Sequence, residues 1–475
     1  MQRKNLVSTL FLSALVGVAC GGSNNSTGTG GHGGSGGSPA GTGGKVGGTG
    51  GTTGAGGGTA GSTGAGGNAG ATGAGGNAGS TGAGGTAGST GGSSTSPILG
   101  SLNTIKTIGS TIDPQNDLAI DPTGSSSNPY GLVIAPISAG LITAGDLVVC
   151  NFNNGPMTVA GSPAPNTQGQ GTTVVGLHPV PSPADAGPTD PYHIAQSASL
   201  LGCSSLSMFA DDSIAATAFS ANLVPLVSPT GAVSSPFAAD NLAKPWGSAY
   251  VPAANGQPPA LYVSTGTGSI NRITLDSSNS SDAQTAFAQI VTGFCVSGAV
   301  QGSTDSLHAP SGLTYDAKKD TLYVVDTSSY SVVALAHVSS IPANGITVNG
   351  GDCTAAPPTA TPAFTGPSMS SASVIAGPNS PNGGQLFNAP ISAALLLNGN
   401  VVIGNADQDL MVNDAGTNEN LLFEISPTAG IVGMKQLDAG APGALFGIAA
   451  GPDSKGNQLI YFNDDNDNTV KVLSK

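Results

Sequence analysis

Pro310-Ser311-Gly312-Leu313-Thr314-Tyr315-Asp316, a turn, Thr321-Leu322-Tyr323-Val324-Val325-Asp326, a second turn, and Tyr330-Ser331-Val332-Val333-Ala334-Leu335 read as three consecutive antiparallel strands. Short β-branched and aromatic runs alternate with Asp- and Ser-containing turns, which is the pattern of an up-down-up meander. The same plan recurs at Pro245–Val251, Ala260–Ser264 and Ser269–Thr274, and again at Leu445–Ala449, Leu459–Asn463 and Thr469–Leu473. Looser copies start at Pro129–Ile134 with Asp146–Val149, at Cys203, and at Pro390–Leu397 with Asn400–Ile403. That makes six copies. No amphipathic stretch is long enough for a convincing helix, so the chain after Pro97 is all-β.

Six similar meanders bury both faces of every sheet when they are arranged radially, provided that the ring closes. The last copy shows only three strands. A strand at Asn103–Ile108, directly after the leader, is expected to supply its outer fourth. The 312–335 stretch resembles an NHL repeat, one blade of a β-propeller. More narrowly, Gly145–Asn154, Gln168–Val175 and Ala309–Val325 resemble a group of uncharacterised exported bacterial NHL-like proteins, in order over roughly residues 102–473. The resemblance implies a six-bladed propeller and assigns no activity.

Of 75 glycines, 37 lie in the first 100 residues, without a G-X-Y period, so the excess belongs to a leader and not to a fibre. Arg3 and Lys4 precede an apolar run from Leu6 to Val18 that is too short to cross a bilayer but suits a signal peptide over residues 1–19. Gly17-Val18-Ala19-Cys20-Gly21 resembles a bacterial lipobox, with Gly17 where Leu is usual. The resemblance implies lipidation at Cys20, with plain secretion as the other reading, and Gly21 resembles outer-membrane sorting. Residues 20–96 carry the nine-residue repeats STGAGGNAG, ATGAGGNAG and STGAGGTAG and almost nothing apolar larger than Ala. They read as a disordered spacer with a reach of about 45–50 Å. They lack the Asp that a calcium-binding β-roll needs in each repeat. Residues 97–475 form the expected propeller domain, an exported, lipid-anchored monomer in the cell envelope.

After the leader, nine basic residues face 26 acidic ones, which excludes nucleic acid as a partner because phosphate binding depends on Lys and Arg. Apart from Cys20, the cysteines are Cys150, Cys203, Cys295 and Cys353. An even number in an exported chain without CxxC spacing favours disulfides, paired as Cys150–Cys203 and Cys295–Cys353 to join neighbouring blades, over zinc. Asp464, Asp465 and Asp467 in the run Asn463–Asn468 are weak calcium candidates, but the run also reads as a hairpin turn; Asp407, Asp409 and Asp414 pose the same alternative. Histidines are scattered at His32, His178, His193, His308 and His337. His308 and Asn388 precede two inner strands, and Tyr130, Trp246 and Phe446 sit at corresponding starts. Together they form either a ligand-binding ring at the channel mouth or a plug.

Two functions follow. One is a binding or scaffold module for a protein, glycan or small molecule, with no cofactor. The other is a metal-dependent hydrolase, by resemblance to gluconolactonase-type propellers, which hold a divalent ion with carboxylate and Asn ligands. The Glu this second resemblance implies in the first blade is missing, since the only glutamates are Glu419 and Glu424.

Overall fold

A computed structural model describes residues 96–113, 126–154, 158–159, 162–163, 169–179, 190–235, 237, 242–254, 256–276, 284–296, 309–349, 360–378, 387, 389–405, 420–438 and 445–475. The signal peptide, Cys20, the Gly-rich spacer, His32, His308, Cys353, Asn388, Asp407, Asp409 and Asp414 lie outside them. Among the described residues, the helical pieces are four three-residue 3-10 turns, and no helix is long and apolar enough to cross a membrane.

The strands form six antiparallel blades, each running from the central axis outward. Blade 1 comprises Ser126–Ile134, Leu147–Asn154, Thr173–Leu177 and Tyr192–Gln196. Blade 2 comprises Cys203–Met208, Ile214–Ala218, Leu226–Val227 and Val233–Ser234. Blade 3 comprises Pro245–Val251, Ala260–Thr265, Ser269–Leu275 and Gln284–Thr292. Blade 4 comprises Pro310–Asp316, Thr321–Asp326, Ser331–Ala336 and Ala372–Ala376. Blade 5 comprises Pro390–Leu395, Val401–Asn405, Leu421–Ser426 and Gly430–Gln436. Blade 6 comprises Ile448–Pro452, Gln458–Asp464 and Thr469–Ser474, with Thr104–Ser110 as its outer strand. Its partner in register is Thr469–Ser474, from Thr104 opposite Ser474 to Ser110 opposite Thr469. The ring therefore closes through the N-terminal strand.

Each blade is covered on both faces by its neighbours, so the apolar side chains collect in wedges between blades rather than in one core. Ile194, Val148, Leu206 and Ile214 fill the wedge between blades 1 and 2. Ala215, Leu226, Leu261 and Ile273 fill the next. This is why second strands such as Thr321–Asp326 read as unbroken apolar runs and are buried at every residue. The outer strands Ala372–Ala376 and Gly430–Gln436 are mostly half-exposed. They carry no comparable signal, and the sequence shows at most three strands per blade. Blade 3 has a further addition: Ile346–Asn349 pairs parallel with Gln284–Thr292, and Ala363–Thr365 pairs outside it. Both strands come from the excursion between the third and fourth strands of blade 4, which ties the two rims together.

Around the axis one position per blade is small: Gly131, Ser205, Gly247, Gly312, Ser392 and Gly447. The close approach of the next blade explains it. A Cβ on Gly447 would sit 2.1 Å from the Tyr130 carbonyl oxygen, and one on Gly247 1.9 Å from that of Ser311. At five of the six joints a polar side chain reaches a carbonyl of the next blade, from the second strand or the turn after it in blades 2, 3, 4 and 6 and from the small inner-strand position itself in blade 5. Thr217 Oγ1 donates to Trp246 O at 2.6 Å, Ser264 Oγ to Ser311 O at 2.7 Å and Thr327 Oγ1 to Pro390 O at 2.7 Å. Ser392 Oγ donates to Leu445 O at 2.8 Å, and Asn463 Nδ2 to Tyr130 O at 3.1 Å. At the joint between blades 1 and 2 a disulfide, Cys150–Cys203, takes the place of that hydrogen bond. Five joints are therefore polar and one is covalent.

The chain enters the ring through a clasp. Glu424, fully buried on the third strand of blade 5, accepts from the backbone N–H groups of Ile98 and Leu99, both at 2.7 Å. Its other oxygen accepts from Asn398 Nδ2 at 2.9 Å and Asn400 Nδ2 at 2.7 Å. Leu99 and Leu102 are fully buried beside it.

Candidate functional site

Each inner strand is the terminal strand of its sheet, so one edge of its backbone has no strand partner and faces the axis. Six such edges surround a channel of about 500 Å³. Its wall contains Gly131, Leu132, Ser205, Ser207, Ser248, Gly312, Leu313, Ser392, Ala393 and Ile448, and among the described residues no Asp, Glu, His, Lys or Arg. Its polarity comes from main-chain amides and hydroxyls. On the side of blades 2 and 3 the hydroxyls are linked, Ser207 Oγ donating to Ser248 Oγ at 2.9 Å.

At the end where the inner strands begin, aromatic side chains close in. Tyr130 is stacked between Phe152 and Phe446, with ring centroids at 4.2 and 3.8 Å. Trp246 meets Phe219 edge-on at 5.1 Å and lies 6.2 Å from Tyr130. Tyr130 and Trp246 are 7% and 6% exposed, which identifies the group as a floor to the channel and not an open aromatic ring. Offset and edge-to-face packing of this kind holds the rings rigidly. At the opposite end one half-buried residue per blade lines the channel: Ile134, Met208, Tyr250, Tyr315, Leu395 and Ala450.

The structure brings together Tyr130, Trp246 and Phe446 from the expected mouth set, while His308 and Asn388 fall outside the described residues. Phe152 and Phe219 were not legible as partners. Both end second strands or the turns after them, and only the curvature of the ring carries them to the axis.

The acidic run Asn463–Asn468 forms the hairpin turn between the second and third strands of blade 6. Lys471 binds both Asp464 and Asp467, the latter at 2.8 Å. Asp465 Oδ2 accepts from Asn128 Nδ2 at 3.1 Å, and Asn468 Oδ1 accepts from Asn128 N at 2.7 Å. The carboxylates are thus spent on a lysine and on fastening blade 6 to blade 1. Among the described residues no group of three His, Cys, Asp or Glu side chains is placed to hold a metal ion. Cys295 is disulfide-bonded.

A second polar cluster lies outside the channel, on blade 1. Asp146 accepts from Tyr192 Oη at 2.6 Å and from Thr143 N at 2.8 Å, and it contacts His178 Nδ1 at 2.7 Å. The Tyr192 ring crosses Gly176, where a Cβ would sit 2.2 Å from it, and His178 stacks on its other side at 4.7 Å. Burial, then the hydrogen bond to Asp146, pushes the Tyr192 hydroxyl far above the usual tyrosine range. The cluster pins the loop before Leu147 to the outer strand.

Fold and site together define a six-bladed β-propeller with an aromatic-floored axial channel whose described wall residues carry no charge. No protein-family model matches the chain, and no curated protein is similar to it. Among solved structures it is similar to a catalytically inactive virginiamycin B lyase from Staphylococcus aureus with quinupristin, at 13% identity and a TM-score of 0.39, covering 78% of this chain and 99% of that one. It is also similar to a protein of unknown function from Bacteroides thetaiotaomicron, at 11% identity and TM-score 0.41, covering 78% and 75%. A candidate gluconolactonase gives 10% identity and TM-score 0.40, covering 80% and 96%.

Proposed function

We propose that this chain is an exported lipoprotein, anchored through Cys20 in the bacterial outer membrane, whose propeller is a non-catalytic binding module held clear of the bilayer by the Gly-rich spacer. The observation that carries the binding reading is the channel wall. It offers backbone amides, hydroxyls and aromatic carbon, but no carboxylate, imidazole or amine among its described residues. General acid–base catalysis needs a titratable side chain within reach of the reacting atom, and a divalent ion needs carboxylate or comparable oxygen donors. Among its described residues the wall has no such ion ligands, and its only titratable side chains are tyrosines, of which Tyr250 and Tyr315 are pushed above the usual tyrosine range by burial. It suits recognition of a small molecule, and the cavity falls in the range of about 300–1,000 Å³ usual for such ligands.

Lipidation is tested by labelling cells with a fatty-acid analogue. The wild-type chain incorporates label and Cys20→Ser does not; equal labelling of both refutes the anchor. The binding reading is tested by elemental analysis of the purified chain. One tightly held divalent ion per molecule, together with lactone or ester hydrolysis that needs it, overturns the reading in favour of a metal-dependent hydrolase.

A further inference from the structure

Resting on the reading of the channel as a binding site, we propose that its ligand is a neutral saccharide of one or two rings, entering from the end lined by Tyr250, Tyr315 and Ala450. Three properties of the cavity converge on that chemistry. The first is the absence of charge: no Asp, Glu, His, Lys or Arg belongs to the wall among the described residues, so an ionic ligand would leave water without a counter-charge there and suffer the full desolvation penalty. The second is the density of neutral hydrogen-bonding groups. Six inner strands, each without a strand partner on the axial side, bring main-chain N–H and C=O groups to the axis, part of them already bonded to the next blade, and Ser205, Ser207, Ser248 and Ser392 add hydroxyls, which serve as both donor and acceptor. A ligand rich in hydroxyls matches that mixture, because each of its groups can also do both. A purely apolar ligand would offer these hydroxyls and main-chain groups nothing to bond.

The third is the asymmetry of the ends. Tyr130, Trp246 and Phe446 form an apolar aromatic floor, braced from behind by Phe152 and Phe219. Sugar rings expose C–H faces as well as hydroxyls, and a cavity with an aromatic floor and hydrogen-bonding walls accommodates both surfaces. The opposite end, where the lining side chains are half-buried, is the way in. The volume of about 500 Å³ admits one or two rings and excludes long chains lying wholly inside.

The test is isothermal titration of the full chain, purified in a detergent without a sugar headgroup, against glucose, galactose, maltose, cellobiose and trehalose. Glucuronate and glucosamine serve as charged counterparts. A neutral member of the panel is expected to bind, with the charged analogues at least about tenfold weaker. Ala450→Trp, which places an indole at the open end where Ala450 is half-buried, is expected to weaken binding by at least about tenfold. Its circular dichroism and unfolding midpoint should match wild type, and Leu397→Trp on the exposed turn of blade 5 serves as a second, channel-sparing control. Sugar binding unaffected by Ala450→Trp overturns the channel as the site. A charged ligand binding better, or no sugar binding at all, overturns the ligand class while leaving the non-catalytic reading standing. A bound divalent ion together with hydrolysis of a lactone or ester that needs it overturns both.

Discussion

Breaking the Cys150–Cys203 bond should destabilise the propeller by about 4 kcal/mol. The bridge closes a loop of sequence separation 53. The chain-entropy relation for such a loop gives about 14 cal/mol/K removed from the unfolded ensemble, or about 4 kcal/mol at 25 °C. Both sulfurs are fully buried against Val148, Val174 and Leu206 in the wedge between blades 1 and 2. The folded state therefore gains little by relaxing when the bond is cut. The position also has an internal reference, because Thr217 and Ser264 occupy the equivalent place in blades 2 and 3 and donate to the next blade's carbonyl. The assay is guanidinium unfolding of wild type, Cys150→Ser/Cys203→Ser, and Cys150→Thr/Cys203→Ala, without reductant so that the Cys295 disulfide stays intact. The Ser pair should lose about 4 kcal/mol, and the Thr–Ala pair should recover about 1 kcal/mol of it through one hydrogen bond. A loss below about 1 kcal/mol for the Ser pair would refute the reasoning, since the closed loop would then not limit the unfolded chain.

Glu424→Ala should cost about 3–5 kcal/mol, because the N–H groups of Ile98 and Leu99 and the amides of Asn398 and Asn400 lose a shared buried acceptor; limited proteolysis should then cut near residues 96–103 first. Gly447→Ala should destabilise by about 1–3 kcal/mol through its clash with the Tyr130 carbonyl, whereas Gly100→Ala, with nothing within 4 Å, should stay within about 0.5 kcal/mol of wild type in thermal unfolding. Asp326 provides a pH test. Burial, only partly offset by hydrogen bonds from Ser329 and Ser328, pushes its carboxyl up to about 6. The folded state thus holds this proton more tightly than the unfolded state, and its contribution to stability is fully present below about pH 4 and lost as pH rises to about 6. Asp326→Asn should remove that slope and be more stable than wild type at pH 7 by on the order of 2–3 kcal/mol, measured as the difference between the two unfolding curves across pH 4–7. A difference that does not change with pH would refute it.

Much of the architecture was legible because the first three strands of most blades are buried on both faces. Thr321–Asp326 and Ala260–Thr265 are buried at every residue, so their apolar character survives in one dimension. The closing strand was legible for a different reason: Thr104–Ser110 comes soon after a Gly-rich stretch with almost nothing apolar larger than Ala, and the sixth meander lacked a partner. The outer strands and the parallel addition on blade 3 were not, because half-exposed residues there satisfy no strong pattern.

The sequence by itself determined the number of blades, the closure of the ring and the chain's division into a leader and a β-rich body. Those properties rest on local periodicity and on composition. Only the tertiary structure decided the rest: that Tyr130, Phe152, Phe219, Trp246 and Phe446, spread across four blades, meet as a channel floor; that the acidic turn of blade 6 is committed to Lys471 and Asn128; and that Glu424 clasps a backbone more than 300 residues away, at a sequence separation of 326. Each is a contact between distant parts of the chain, set by how six twisted sheets meet around one axis, and no local pattern records where those meetings occur.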